Sequence, residues 1–182
     1  MTQPSVPSKA ELLQILRSNG AEVVAKLRGL PPEAFEQGRY ENGWNGRQIL
    51  AHVASIEWTY TRLLDVARSA LPASQAQSAE VRRTSPEQAA GIPTRPMQGG
   101  IDDYNARQVQ KRAAATVAEL LAEFETNRAA TIAAVESADE ALLRTPIRSA
   151  GGVTGPLSAV INAIAVAHVV GHVNDIVGGP AR

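Results

Sequence analysis

Residues 155–178 read G-P-L-S-A-V-I-N-A-I-A-V-A-H-V-V-G-H-V-N-D-I-V-G, with no charged residue before Asp175. A run this long and apolar is either a buried helix or a membrane span. Ser158, Asn162, His168, His172 and Asp175 interrupt it, and no aromatic or basic anchors flank it. The reading is therefore a buried central helix. His168 and His172 are two of the 3 histidines in the protein. At a spacing of four they share one helix face, about 40° apart and one turn along. Neutral imidazole is the commonest protein metal ligand, and such a pair can aim two nitrogens at one point.

The remaining histidine, His52, belongs to a second predicted helix over residues 46–70, ended by Pro72. Asn45 caps its start, with Gln48 at the capping-box position. Trp44 and Ile49 take the two positions of a hydrophobic staple. Ile49, His52, Ile56, Tyr60 and Leu63 share one broad face. Glu57 falls about 140° from His52 on the helical wheel, a poor partner at the same metal.

Further out, Ser8 and Glu11 form a capping-box pattern that opens a helix over 8–28, which Gly29 and Pro31-Pro32 stop. Gly20 weakens that helix by about 1 kcal/mol relative to alanine. One helical turn is expected over Pro32–Phe35. Asp102 or Asp103 caps a third long helix, 103–136. Ser137 and Glu140 form another capping-box pattern, opening a short turn through Leu143. Pro146–Gly152 reads as a loop. Thr154 or Gly155 caps the final helix, 155–177, with Pro156 in its first turn. Residues 71–101 are rich in Ser, Ala, Gln, Pro and Gly and read as a long crossover, with a short helical turn after Pro86. No alternating run is long enough for a strand. Four long helices imply an all-α four-helix bundle, a single domain over residues 1–182.

Eighteen basic residues balance 18 acidic ones, so no charge footprint points to nucleic acid or an anionic membrane. The absence of cysteine rules out disulfides, thiolate ligands and a cysteine nucleophile. Met1–Lys9 has no apolar core of signal-peptide type, so a soluble cytoplasmic protein is expected. Bundles with apolar flanks commonly dimerise, which makes a homodimer possible.

Bundle geometry tests the histidines. If the second and fourth helices pack antiparallel, His52 and His172 each lie about 9 Å from the shared end, and His168 about 15 Å. The three imidazoles then fall at nearly one level. A parallel arrangement would separate them by one to two turns. An up-down-down-up order, which the long crossover after the second helix permits, supplies the antiparallel pairing.

Three stretches, W-N-G-R-Q-I-L-A-H-V-A-S-I-E-W from Trp44, D-D-Y-N-A-R from Asp102 and H-V-V-G-H from His168, together resemble the DinB/YfiT-like superfamily. The resemblance covers most of the chain in order and spacing. It implies an up-down-down-up four-helix bundle. It also implies a divalent metal, zinc or nickel, held by a histidine of the second helix and an H-x-x-x-H pair of the fourth, here His52, His168 and His172. Characterised members include bacillithiol and mycothiol S-transferases and mycothiol-dependent maleylpyruvate isomerase. The expected function is thus a metal-dependent transferase that uses a low-molecular-weight thiol as co-substrate on a small molecule. A metal-dependent hydrolase, or a non-catalytic metal-binding or stress-response bundle, stands as the alternative.

Three neutral nitrogens leave a metal its full charge and an open position, the pattern of a catalytic site. Val169 stands where a zincin peptidase carries its glutamate. Asp175, three residues after His172, can orient a ligand or act as base. Trp44, Tyr104 and Arg107 are candidate substrate contacts, Arg107 through a bidentate hold on a carboxylate. Gly171 is expected to permit close helix packing. Imidazole takes up protons below about pH 6.5, so metal affinity is expected to fall through that value.

Overall fold

The computed structural model describes residues 6–38, 43–70, 82–83, 91–94 and 99–178. The first helix, α1, spans Lys9–Arg28 and carries the expected capping box, Ser8 with Glu11. A single turn, α2 (Glu33–Glu36), follows the proline pair. Helix α3 (Gly46–Glu57) opens on the Asn45–Gln48 capping box. Trp58 interrupts the predicted second helix, which resumes as α4 (Thr59–Ala70). Gly46 is required for close approach. A Cβ there would lie 2.8 Å from the Ala34 carbonyl oxygen and 2.9 Å from Phe35 Cα, which would push α2 off the helix start.

The predicted third helix is two helices. Helix α5 runs Gly100–Lys111 and α6 runs Val117–Ser137. A capping box of Thr116 with Glu119 restarts the chain. Arg112 fastens the joint by donating to both carboxylate oxygens of Glu123, at 2.8 Å from Nε and 2.5 Å from Nη2. Gly99 is the N-cap of α5, so Asp102 and Asp103 sit in its first turn, where carboxylates favour the helix dipole without capping it. The short helix α7 (Glu140–Arg144) starts as expected, but its cap is Asp139, which accepts from the Leu142 amide at 2.7 Å.

Two expectations fail between residues 146 and 156. Pro146–Arg148 forms strand β2 and Val153–Pro156 forms strand β3, where the sequence reading had a loop and a helix start. Both pair antiparallel in a three-stranded sheet whose other edge is β1 (Arg82–Arg83). β3 ends the extended backbone at Pro156, which is the N-cap of the last helix, so neither Thr154 nor Gly155 caps it. The crossover expected over 71–101, with its turn after Pro86, lies mostly outside the described residues. Its described parts pack on the sheet, as when Arg148 N–H donates to the Pro93 carbonyl at 2.9 Å.

The last helix has three parts: α8 (Leu157–Ile161), a π-helical turn (Asn162–Ala167) and α9 (His168–Val177). By length and composition Leu157–Val177 could cross a membrane. Here it serves as the core helix, with Leu157, Val160, Ile161, Ala165, Val169 and Ile176 buried in the bundle. Gly171 is exposed, and a Cβ there would meet nothing within 4 Å, so close packing does not explain it.

Contacts between the helices fix their levels. Lys9 Nζ reaches the Ala138 carbonyl while Arg28 reaches Glu125. Arg47 reaches the Ala113 carbonyl, Asn127 the Ala54 carbonyl and Arg128 the Glu57 carboxylate. The core is a helix bundle filled by Leu12, Leu16, Leu64, Phe124 and Leu157, all fully buried.

Candidate metal centre

The packing of α3 against the last helix brings the histidines together. α3 is buried on every side from Ile49 to Glu57, and His52, 4% exposed, stands against His172 of the last helix. His172 is 5% exposed and His168 half-buried. One nitrogen from each of the three rings lies within 4.8 Å of the others. His168 Nε2 and His172 Nε2 are 2.8 Å apart. The His52 ring stands nearly perpendicular to both, with centroids 5.7 Å from His168 and 4.9 Å from His172.

The donor set suits a divalent cation. Burial, and then the His172 and His168 charges, pushes the His52 imidazole down to about 3. Burial pushes His172 down to about 4. These rings therefore stay neutral, as ligation requires, well below pH 6.5. At His52 and His172 proton competition sets in only toward the depressed values. His52 Nδ1 is buried with no hydrogen-bond partner among the described residues, which costs free energy unless something else satisfies it. A cation bound by the Nε2 atoms of His168 and His172 would take the place of their 2.8 Å contact, with each of the two neutral rings keeping its proton on Nδ1.

The other candidates take different places. Trp44 is half-buried, its ring centroid 5.4 Å from that of His52. Asp175 Oδ2 lies 3.5 Å from His172 Nδ1, behind the ring relative to Nε2. Glu57 is buried away from the histidines and paired with Arg128, as its place on the wheel implied. A cavity of about 270 Å³ opens against His52 and His168, between α3–α4, α5, the last helix and the β2–β3 hairpin. Ile56, Tyr60, Leu63, Ile101 and Ile164 give it apolar walls. Tyr104 lines it; Arg107 does not, and is exposed beside Gly99, where a Cβ would lie 3.3 Å from its Nη1.

Sequence reasoning missed two parts of this cavity. Asn105 lines it, and both Asn105 Oδ1 and the Tyr104 hydroxyl are buried without partners among the described residues. Ser149, Ala150 and Gly151 of the hairpin turn form another wall. A partial signal for the hairpin existed: Ala150-Gly151-Gly152 is turn chemistry between Ile147 and the β-branched pair Val153-Thr154.

Residues 15–176 match the DinB superfamily. The crystal structure of the mycothiol-dependent maleylpyruvate isomerase is similar in fold, with a TM-score of 0.67 and 18% sequence identity. The likeness covers 97% of this chain but only 63% of that protein. Among curated proteins, none matches this sequence.

Proposed function

This chain belongs to the DinB superfamily, and from that premise we propose that it is a divalent-metal-dependent enzyme of the thiol S-transferase type. One observation carries the reading: three imidazole nitrogens converge within 4.8 Å at the wall of a cavity. Three neutral ligands with a cavity on one side leave a coordination position facing that cavity. Imidazole suits both zinc and nickel. A divalent cation held there supplies the Lewis acidity that favours thiol ionisation near neutral pH. The chain has no cysteine, so the thiol comes from solution as co-substrate.

The chain's own residues do the rest. Asp175 orients the His172 ring from behind through Nδ1, a better-supported role than base, because it does not line the cavity. Tyr104 and Asn105 satisfy their unpartnered polar atoms on the polar end of a small substrate, while the apolar walls take its body. The cavity lies just below the roughly 300–1,000 Å³ typical of drug-sized ligands, so the substrate is small. Trp44 fixes the His52 ring at the site's edge. Arg107, one turn along α5 from Tyr104, stands outside the cavity lining and holds a carboxylate only of a substrate that extends beyond the cavity. The levels of the interhelical contacts, with Lys26 at the end of α1 beside Asn174 at the end of the last helix, support the up-down-down-up order. Exposed Val170 and Val177 on the last helix support a homodimer.

The test is turnover. Zinc-loaded protein is mixed with a low-molecular-weight thiol and an activated aryl chloride, and loss of free thiol is followed. Thiol consumption above the uncatalysed rate, abolished in His52→Ala, is expected. If protein shown to hold metal gives only the background rate across a panel of thiols and electrophiles, the alternative of a non-catalytic metal-binding protein takes its place.

A further inference from the structure

The histidine pair does not stand on a regular α-helix. The His168 amide donates to the Ala163 carbonyl, five residues back. In an α-helix it would donate to Ile164, four back. The extra residue of a π turn rotates everything after it by about 100° relative to an uninterrupted helix. Both His168 and His172 follow that turn, so it sets where both rings point.

A π turn leaves carbonyls in need of donors, and two buried side chains from other helices supply them. The Tyr60 hydroxyl donates to the Ile164 carbonyl at 2.9 Å. Arg128 Nη2 donates to the Ala165 carbonyl at 2.6 Å. These are the carbonyl that the His168 amide would otherwise take and its neighbour.

Arg128 is 3% exposed, a costly place for a permanent charge. Glu57, 0% exposed, neutralises it with bonds of 2.6 Å to Nε and 3.0 Å to Nη2. The Leu16 carbonyl and Asn19 Oδ1 take Nη1, each at 3.2 Å. Gly20 makes the room: a Cβ there would lie 3.2 Å from Arg128 Cγ. Every donor direction of this guanidinium is thus committed, and one of them is spent on the π turn.

We propose that Tyr60 and Arg128, the latter held by Glu57, are positioning residues. They hold the π turn open by capturing the Ile164 and Ala165 carbonyls, and so set the aim of His168 and His172 toward His52. The inference deepens the metal-centre reading and rests on it for its consequence in binding.

The test uses Tyr60→Phe, which removes only the hydroxyl, with Arg128→Lys as second variant. Leu143→Ala serves as control, since it opens a cavity in the same core as Tyr60 and Ala165 while removing no hydrogen-bond donor from either carbonyl. Cobalt(II) alone is the probe, because its ligand-field absorption reports ligand geometry. Cobalt affinity is read by chelator competition. We expect Tyr60→Phe to shift the absorption bands and to weaken affinity about ten-fold or more. Leu143→Ala should lower the melting temperature and change neither. Wild-type spectrum and affinity in Tyr60→Phe would overturn the proposal, as would equal changes in Leu143→Ala. If wild-type protein takes up no cobalt, the metal reading fails. The latch is then decided by the crystal structure of Tyr60→Phe. Reversion of the His168 amide to the Ile164 carbonyl supports it, and an unchanged π turn overturns it.

Discussion

At the scale of single residues, burial governs the chemistry of His52 and His172. An imidazole prefers to be neutral where water cannot solvate its charge, so His52 falls to about 3 and His172 to about 4. The consequence for stability follows from proton counting. Below about pH 6.5 the unfolded chain protonates these rings while the native protein keeps them neutral. The unfolded state then binds more protons, and native stability falls as pH drops. The metal-free protein should therefore hold a constant melting temperature above about pH 6.5 and lose it steadily from there toward pH 4. In His52→Ala/His172→Ala protein that loss should be reduced. A melting temperature with the same pH dependence in both proteins would contradict the assigned burial effect. The convergence of His52, His168 and His172 was legible because rise per residue and antiparallel packing of the second and fourth helices put them at one level. Arg128 was not legible. On the sequence it is one more charge on a helix, and only the packing of α1, α3 and the last helix around it shows that it is buried.

At the scale of elements, the spacing of Ser or Asn three residues before Glu or Gln marks two helix starts but misplaces the cap at Ser137–Glu140, where Asp139 takes it. Ser8 and Asn45 cap the two starts. The Thr116–Glu119 box lies between apolar residues that continue on both sides of it, so periodicity alone predicts α5 and α6 as one helix. The break between them is local, so it should respond locally. Thr116→Ala should cost about 1 kcal/mol in urea unfolding, through loss of the bond to the Glu119 amide. A change under a few tenths would show that the joint is fixed by Arg112 and Glu123 alone. The π turn was illegible for a different reason. A run of Ala, Ile and Val supports α and π geometry alike, and the donors that select π lie about 40 and 100 residues away on Arg128 and Tyr60. The hairpin was missed because its strands are too short for alternation to register.

At the scale of the whole molecule, the fold is a means of carrying three distant side chains to one level. The helix bundle supplies the level, the apolar faces supply inward direction, and the π turn supplies the final rotation. The α5 start and the hairpin turn then close a small cavity over the result. Overall class and the histidine cluster could be argued from the chain alone, since both depend on periodicity and length. The cavity could not, because its walls come from five elements whose mutual placement no local pattern encodes. The central claim is that His52, His168 and His172 together hold one divalent ion. Elemental analysis of zinc-reconstituted, desalted protein tests it most directly. The account predicts about one zinc per chain in wild-type protein and a marked loss after His52→Ala, His168→Ala or His172→Ala. Wild-type protein without stoichiometric zinc or nickel, or full retention in all three variants, would contradict it.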